Sequence, residues 1–155
     1  MTIRILPAAW LVAACAAAGA ADKLVLPLEP VLAQPATQKV LKGVSVSFGG
    51  TATGSPGSGI KVMSWARPND LRGYDGGPDR TPDGRAILLP PERVCQLALR
   101  YTLENLADEA IARRARSVVG VVGNNDGVEF NSATSFECLP SHNSATVNLK
   151  GWLVR

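Results

Sequence analysis

Hydrophobic residues recur at helical spacing in one long segment of the chain, from Arg93 to Ala115. Pro90 and Pro91 precede the segment and Glu92 falls in its first turn, which is typical of a helix start. At 100° per residue, the apolar residues that lie within about 80° of Cys95 are Ala98, Leu99, Leu103, Leu106 and Ala110. The pattern predicts a long helix with Cys95 on its buried face.

Strand patterns flank this segment. Residues 44–48 alternate apolar and small polar side chains, residues 117–122 are rich in β-branched residues, and residues 145–154 alternate again. Asp126 and Gly127 form a hairpin signal. In residues 128–138 one face is expected to carry Val128, Phe130, Thr134, Phe136 and Cys138.

The order of these elements predicts an α+β fold. A β-α-β-β-β arrangement makes a two-layer domain, with a mainly antiparallel sheet and one long helix across one face. Three prolines limit residues 22–42 to short elements, with room for about two helical turns after Pro35. We expect a single domain over residues 21–155, with a Gly- and Pro-rich insert at about 51–90. Residues 60–65 and 86–89 are the strand candidates within that insert.

The first twenty residues have the order of a secretory signal peptide. Arg4 precedes an uncharged apolar run, which ends in the small residues Ala18, Gly19 and Ala20. Cleavage near Ala20 is favoured over a membrane anchor, because the run is short and its second half is alanine and glycine. The alternative is an envelope lipoprotein, since residues 11–15 end in Cys15 and have the form of a lipidation signal. The predicted location is therefore periplasmic or secreted, with no membrane attachment unless Cys15 is lipidated.

Two cysteines, Cys95 and Cys138, remain after processing. In an exported protein such a pair favours a disulfide, and both side chains are predicted to lie between helix and sheet. Two unpaired buried thiols are the alternative.

Composition gives little support for a nucleic-acid partner. The chain has 16 basic and 13 acidic residues, and loss of Arg4 leaves a charge of only +2. The basic residues are scattered apart from the cluster 113–116, which fits the end of a helix better than a phosphate-binding patch.

The glycine-rich segment 48–61 does not fit a nucleotide site. A Walker loop needs a lysine directly after its last glycine, and Ile60 follows Gly59 here. The β-branched segment that follows is also unlike the helix such a loop requires. We therefore predict no cofactor.

Catalytic and metal-binding signatures are also missing from the sequence. His142 is the single histidine, and no nucleophile elbow accompanies it. Metal ligation by Cys138 and His142 would require a reduced cysteine and further ligands from elsewhere. A non-enzymatic protein is the favoured interpretation.

Several segments resemble a group of small exported bacterial proteins that are often labelled excinuclease ATPase subunit. The resemblance covers residues 26–50, the helix carrying Cys95, and the segments 112–122 and 135–154, which is most of the mature chain outside residues 51–90. It implies an exported protein in which Cys95 and Cys138 form a structural pair. An ATP-dependent repair activity would need a Walker motif and zinc-finger cysteines, which this sequence lacks.

The second half is similar, more remotely, to the YbjQ-type domain, which is described as heavy-metal-binding. The segments 115–121 and 149–154 carry this similarity, which departs from the family pattern at Arg116 and Ser117. It implies a small β-α-β-β sheet and ring-like oligomers. A related fold occurs in the disulfide-bonded Rcs envelope-stress lipoprotein, which signals through partner proteins.

Together these features predict a non-enzymatic binding or assembly module of the periplasm or envelope. Its expected partner is an unidentified protein or further copies of itself in a small oligomer. The alternative function is metal binding or metal stress, as in the YbjQ-type domain.

Overall fold

The computed structural model describes residues 23–51, 54–55, 57–70, 81–85 and 88–155. The predicted signal peptide and Cys15 lie outside the described residues. The elements follow in the order β1 (Leu24–Pro27), α1 (Glu29–Leu32), α2 (Pro35–Leu41), β2 (Ser45–Phe48), β3 (Gly59–Ala66), α3 (Pro91–Ala112), β4 (Ser117–Asn125), β5 (Val128–Phe130), β6 (Ser135–Pro140) and β7 (Ala145–Val154).

The seven strands form one mostly antiparallel sheet, and α3 packs against it. The predicted α+β class is therefore confirmed. The ten-residue strand β7 lies at the centre. It pairs along one edge with β3, and on the other edge with β6 near its start and β4 near its end. β1 extends the sheet beyond β6, while β2 pairs with β4 in parallel.

The long helix α3 is confirmed, and it ends a turn earlier than the sequence pattern suggested. Pro91 occupies its first turn, where the missing proline N–H costs nothing. Leu99, Leu103 and Leu106 are fully buried against the sheet. Thr102 ties helix to sheet, because its Oγ1 lies 2.8 Å from the Ala98 carbonyl oxygen and 3.2 Å from that of Val147.

The segment before β2 forms two short helices, and both pack against α3. α2 begins at Pro35 and spans seven residues, as the room after that proline predicted. It ends with Lys42 in the left-handed region, at φ 52°. α1 and α2 thus cover part of the surface of α3 that the sheet leaves uncovered.

The segment 128–138 differs from the single alternating strand that its sequence suggested. It is divided between β5, which pairs with β4, and β6, which pairs with β1 and β7. The Ser132 hydroxyl accepts hydrogen bonds from the backbone N–H groups of Thr134 and Ser135, and such local bonds interrupt a strand. Phe136 is buried as expected, whereas Val128 is 62% exposed.

The predicted hairpin turn is present between β4 and β5. Asp126 and Gly127 both have positive φ angles, 51° and 81°, as a two-residue turn of this kind requires. In the insert, the first strand candidate is confirmed as β3, an edge strand of the main sheet. Of the second candidate, Leu88 and Leu89 form no strand, and residues 86 and 87 lie outside the described part of the chain.

Candidate functional site

A groove of about 790 Å³ runs between α2, α3 and the edge of β3. We call it the Arg100 groove. Its lining residues come from all three elements and from the segment after β3: Ala36, Lys39, Val40, Lys42, Ser64, Trp65, Asp70, Arg100, Tyr101, Glu104 and Asn105. A volume of this size lies within the range of about 300–1,000 Å³ that is usual for small-molecule sites.

Helical geometry explains why α3 supplies both core and groove. Cys95 points into the layer between helix and sheet, and Arg100 lies about 140° around the helix from it. Glu104 follows one turn later on the same side. Arg100 and Glu104 therefore line the groove from the side of α3 that is turned away from Cys95, whereas Asn105 lines it where α3 meets the edge of β3.

An ion pair joins α2 to α3 beside the groove. The Lys42 Nζ lies 2.5 Å from the Asp108 Oδ1, with both side chains partly exposed. This hydrogen bond raises the pKa of Lys42 above its ordinary value of 10.5, against a smaller opposing effect of desolvation. Lys42 therefore already has an anionic partner.

Arg100 is the most unusual group in the groove. The residue is only 5% exposed, yet its side chain forms no hydrogen bond or ion pair with any described residue. Buried arginines are ordinarily paired, since an uncompensated buried charge is costly. In the described chain, the Thr37 Oγ1 is the only fully buried side-chain polar atom without a hydrogen-bond partner. The Arg100 nitrogens, which have no partner there, are therefore not fully buried. The guanidinium therefore keeps contact with solvent through the groove.

Aromatic and amide groups form the β3 side of the groove. Trp65 is 48% exposed, and the Arg67 guanidinium carbon lies 4.9 Å from its ring centroid. The Asn105 amide donates to the Met63 carbonyl oxygen at 3.1 Å, so it holds α3 against the edge strand. Among the described strands β3 pairs only with β7, and β3 borders the groove through Ser64 and Trp65.

The predicted disulfide between Cys95 and Cys138 is present. It joins α3 to β6, with the two Cα atoms 5.8 Å apart and both residues fully buried. Metal ligation by Cys138 and His142 required a reduced cysteine, and with the disulfide formed the Cys138 sulfur is bonded to Cys95 and offers no thiolate. His142 itself is exposed in the turn between β6 and β7. In the described residues no three His, Cys, Asp or Glu side chains lie together as a metal site would need.

The glycine-rich segment packs against the sheet. A Cβ on Gly54 would lie 2.8 Å from the Trp152 ring, and one on Gly59 would lie 3.1 Å from it. The Leu153 N–H donates to the Ser58 carbonyl oxygen at 2.8 Å, which fixes this segment beside β7. These glycines therefore permit close approach to an aromatic ring, a role that the sequence alone did not indicate.

A second, smaller cleft of about 400 Å³ lies between this glycine segment and Arg113. Arg113 is already paired with Glu109, at 2.5 Å between Nη2 and Oε1. The glycine segment leads into strand β3 rather than into a helix, as predicted, so it lacks the helix N-terminus of a phosphate loop. The Arg100 groove is the stronger candidate site.

A polar network lies on the part of the sheet where β4, β6 and β7 meet. Asn125, which is 1% exposed, donates to the Glu137 Oε2 at 2.9 Å and accepts from the Asn148 amide at 2.8 Å. Lys23 lies 3.7 Å from Glu137. Each of these groups has a partner, so the network is complete in itself and stabilises the sheet.

Comparisons with known proteins do not extend this description. The chain matches no protein-family model, and no curated protein or solved structure is significantly similar to it. The resemblances to the exported group and to the YbjQ-type domain therefore stay predictions. None of the described helices is long and apolar enough to cross a membrane, and the disulfide is consistent with an oxidising compartment.

Sequence reasoning missed the Arg100 groove, although one signal was available. Arg100 is the only charged residue between Val94 and Leu103, a run that is otherwise apolar or neutral. A lone arginine in a buried helix needs a partner. The other walls of the groove depend on the docking of α2 and β3, which no local pattern specifies.

Proposed function

We propose that this protein is a non-enzymatic binding module of the periplasm or envelope, and that the Arg100 groove is its ligand site. The observation that carries the proposal is that Arg100, only 5% exposed as a residue, has no hydrogen-bond or ion-pair partner in the described chain and reaches solvent at the groove. A bound anion would offset the free-energy cost of withdrawing this unpaired charge from water. The groove is also large enough for a small ligand or a short peptide segment.

The location of the proposed function rests on two supports. The first is the signal-like sequence of residues 1–20, and the second is the disulfide between α3 and β6. Structural disulfides persist in oxidising compartments outside the cytosol. A binding module held rigid by such a bond presents its groove without the need for a metal or cofactor.

Native mass spectrometry of the full chain tests the proposal. The protein is expressed with its own first twenty residues, recovered from the periplasmic and membrane fractions, and sprayed under non-denaturing conditions. We expect a non-covalent ligand mass on the wild-type protein, and we expect Arg100→Met to lose it. The same spectra give the cleavage site, the oligomeric state and any bound metal.

Arg93→Met is the matched control. Arg93 is an exposed arginine on the same helix, outside the groove, and it donates to Gln96. We expect it to retain the ligand mass. A wild-type protein with no ligand, or a ligand that survives Arg100→Met, would refute the groove as the binding site.

A further inference from the structure

We infer that the Arg100 groove binds a monocarboxylate that carries an apolar body. This inference rests on the proposed function and adds the chemical class of the ligand. The shared chemistry is a single carboxylate on an apolar group, and it has two sources: a small organic acid, or the carboxyl terminus of an extended peptide.

The charge of the groove favours a single negative charge on the ligand. Three basic and two acidic side chains line it, but Lys42 is paired with Asp108 outside the lining. The remaining basic residues, Lys39 and Arg100, are matched in number by Asp70 and Glu104, and Glu104 lies one helical turn from Arg100. A phosphate dianion or a polyanion would meet the Glu104 carboxylate without enough positive charge to offset it, whereas a monocarboxylate needs only one cation.

The geometry of the guanidinium favours a carboxylate. Arginine presents its donors in a planar fork that matches the two oxygens of a carboxylate, and such bidentate pairs are strong when water is excluded. Arg100 is held with little exposure and forms no hydrogen bond or ion pair with a described residue. Its donors are therefore available for both ligand oxygens.

The remaining walls favour an apolar body next to the carboxylate. Ala36 and Val40 of α2 line the groove together with Tyr101 and Trp65. A half-exposed tryptophan beside a buried arginine offers contact area that a bare inorganic ion leaves unused. Hydrocarbon or aromatic groups on the ligand would cover this surface.

The part of β3 that borders the groove offers a means to distinguish the two sources. An extended peptide can add to an exposed strand edge through backbone hydrogen bonds, while its terminal carboxylate is bound separately. β3 borders the groove through Ser64 and Trp65, and β7 is its only strand partner in the described chain. A peptide would therefore gain contacts along β3 that a small acid lacks.

The test is an NMR titration of the ¹⁵N-labelled mature protein, with the Arg100 Nε–H signal assigned from its loss in Arg100→Met. The small-acid probes are hexanoate and phenylacetate, each compared with its neutral amide. The peptide probe is acetyl-Ala-Ala-Phe with a free carboxyl terminus, compared with its carboxy-terminal amide. Inorganic phosphate is the anion control.

We expect the free acids to shift the signals of Arg100 and Tyr101, and we expect each amide to bind at least about tenfold more weakly. Arg100→Met should weaken acid binding by a similar factor, and Arg93→Met should leave it unchanged. Arg100→Lys retains the charge but loses the planar fork, so it should bind more weakly than wild type even if Arg100→Met fails to fold. Tighter binding of the tripeptide than of both small acids indicates a peptide ligand, and equal or weaker binding indicates a small acid.

Three outcomes would overturn the ligand class: equal binding of acids and amides, tighter binding of phosphate than of the acids, or acid binding away from the groove. If no probe binds while native spectra show a ligand that depends on Arg100, the class is wrong and the proposed function stands. If no probe binds and the native spectra also show no ligand, both fail.

Discussion

Removal of the Cys95–Cys138 disulfide is the perturbation whose magnitude follows most directly from the structure. The bond closes a loop of 43 residues and joins α3 to β6. In the chain-entropy model, closing a loop of that length removes about 13 cal/mol/K from the unfolded chain, or about 4 kcal/mol at 25 °C. Each Cys→Ala change also removes a fully buried sulfur, which adds about 1 kcal/mol of lost packing.

The assay is urea unfolding of the mature protein, followed by circular dichroism, for Cys95→Ala, Cys138→Ala and the double variant. Either single change abolishes the bond, so each should lower the free energy of unfolding by ~5 kcal/mol and the double change by ~6 kcal/mol. With a slope of about 2 kcal/mol per molar urea, the unfolding midpoint falls by roughly 2.5 M.

The pattern across the three variants separates the bond from ordinary packing. If the cysteines acted only as small buried side chains, each single variant would lose about 1 kcal/mol and the two effects would add. Single variants that cost no more than about 1 kcal/mol would refute the reasoning, and so would a double variant that costs the sum of the two.

Three further predictions concern glycine packing, the polar network and the buried arginine, each measured by urea unfolding. Gly49 and Gly50 both have positive φ, but only at Gly49 would a Cβ meet backbone, 2.8 Å from a nitrogen, so Gly49→Ala should cost ~2 kcal/mol more than Gly50→Ala; equal costs would contradict the close contact. Asn125→Ala breaks two part-buried side-chain hydrogen bonds and should lower the free energy of unfolding by about 1–3 kcal/mol. The neighbouring Asn124→Ala should lower it by ~0.5 kcal/mol or less. A neutral Asn125→Ala would show that the network adds nothing to stability. Arg100→Met should raise the free energy of unfolding of the ligand-free protein by about 1 kcal/mol or more, because it removes a charge that is largely withdrawn from water and has no partner among the described residues. A loss of stability would mean that the guanidinium is satisfied without a ligand.

The parts of the fold that the sequence predicted are those set by local periodicity. The spacing of apolar residues around Cys95 predicted α3, and turn chemistry predicted the hairpin at Asp126 and Gly127. The disulfide was predicted from the pair of cysteines in an exported chain, and helical spacing at Cys95 and strand alternation at Cys138 placed both in the layer between helix and sheet. The helix and the hairpin depend on residues close in sequence, and the disulfide depends only on both cysteines lying in the layer between helix and sheet.

The parts that the sequence did not predict depend on contacts between distant segments. The strand β1 is four residues long and exists through its pairing with β6, more than a hundred residues away. The segment 128–138 has the alternation of one strand, but hydrogen bonds to the Ser132 hydroxyl divide it. Hydrophobic periodicity predicts neither the pairing of β1 with β6 nor the interruption of the segment 128–138.

The candidate site was beyond local prediction for the same reason. Arg100 is a lone charge in a neutral run of the sequence, yet its burial becomes visible only once α2 docks against α3 beside the edge of β3. The glycine segment drew attention as a phosphate loop, whereas its glycines at 54 and 59 accommodate the Trp152 ring. The glycine-rich segment therefore contributes to packing, whereas Arg100, a residue of the predicted helix, is the candidate for ligand binding.

A crystal structure of the protein recovered from the envelope fraction would show whether the Arg100 groove holds a ligand. We expect electron density for a bound molecule in the groove, with two of its oxygens within hydrogen-bond distance of the Arg100 guanidinium and its remainder against Tyr101 and Trp65. A structure in which the guanidinium instead pairs with a carboxylate of the protein's own chain, with no bound molecule in the groove, would contradict this expectation.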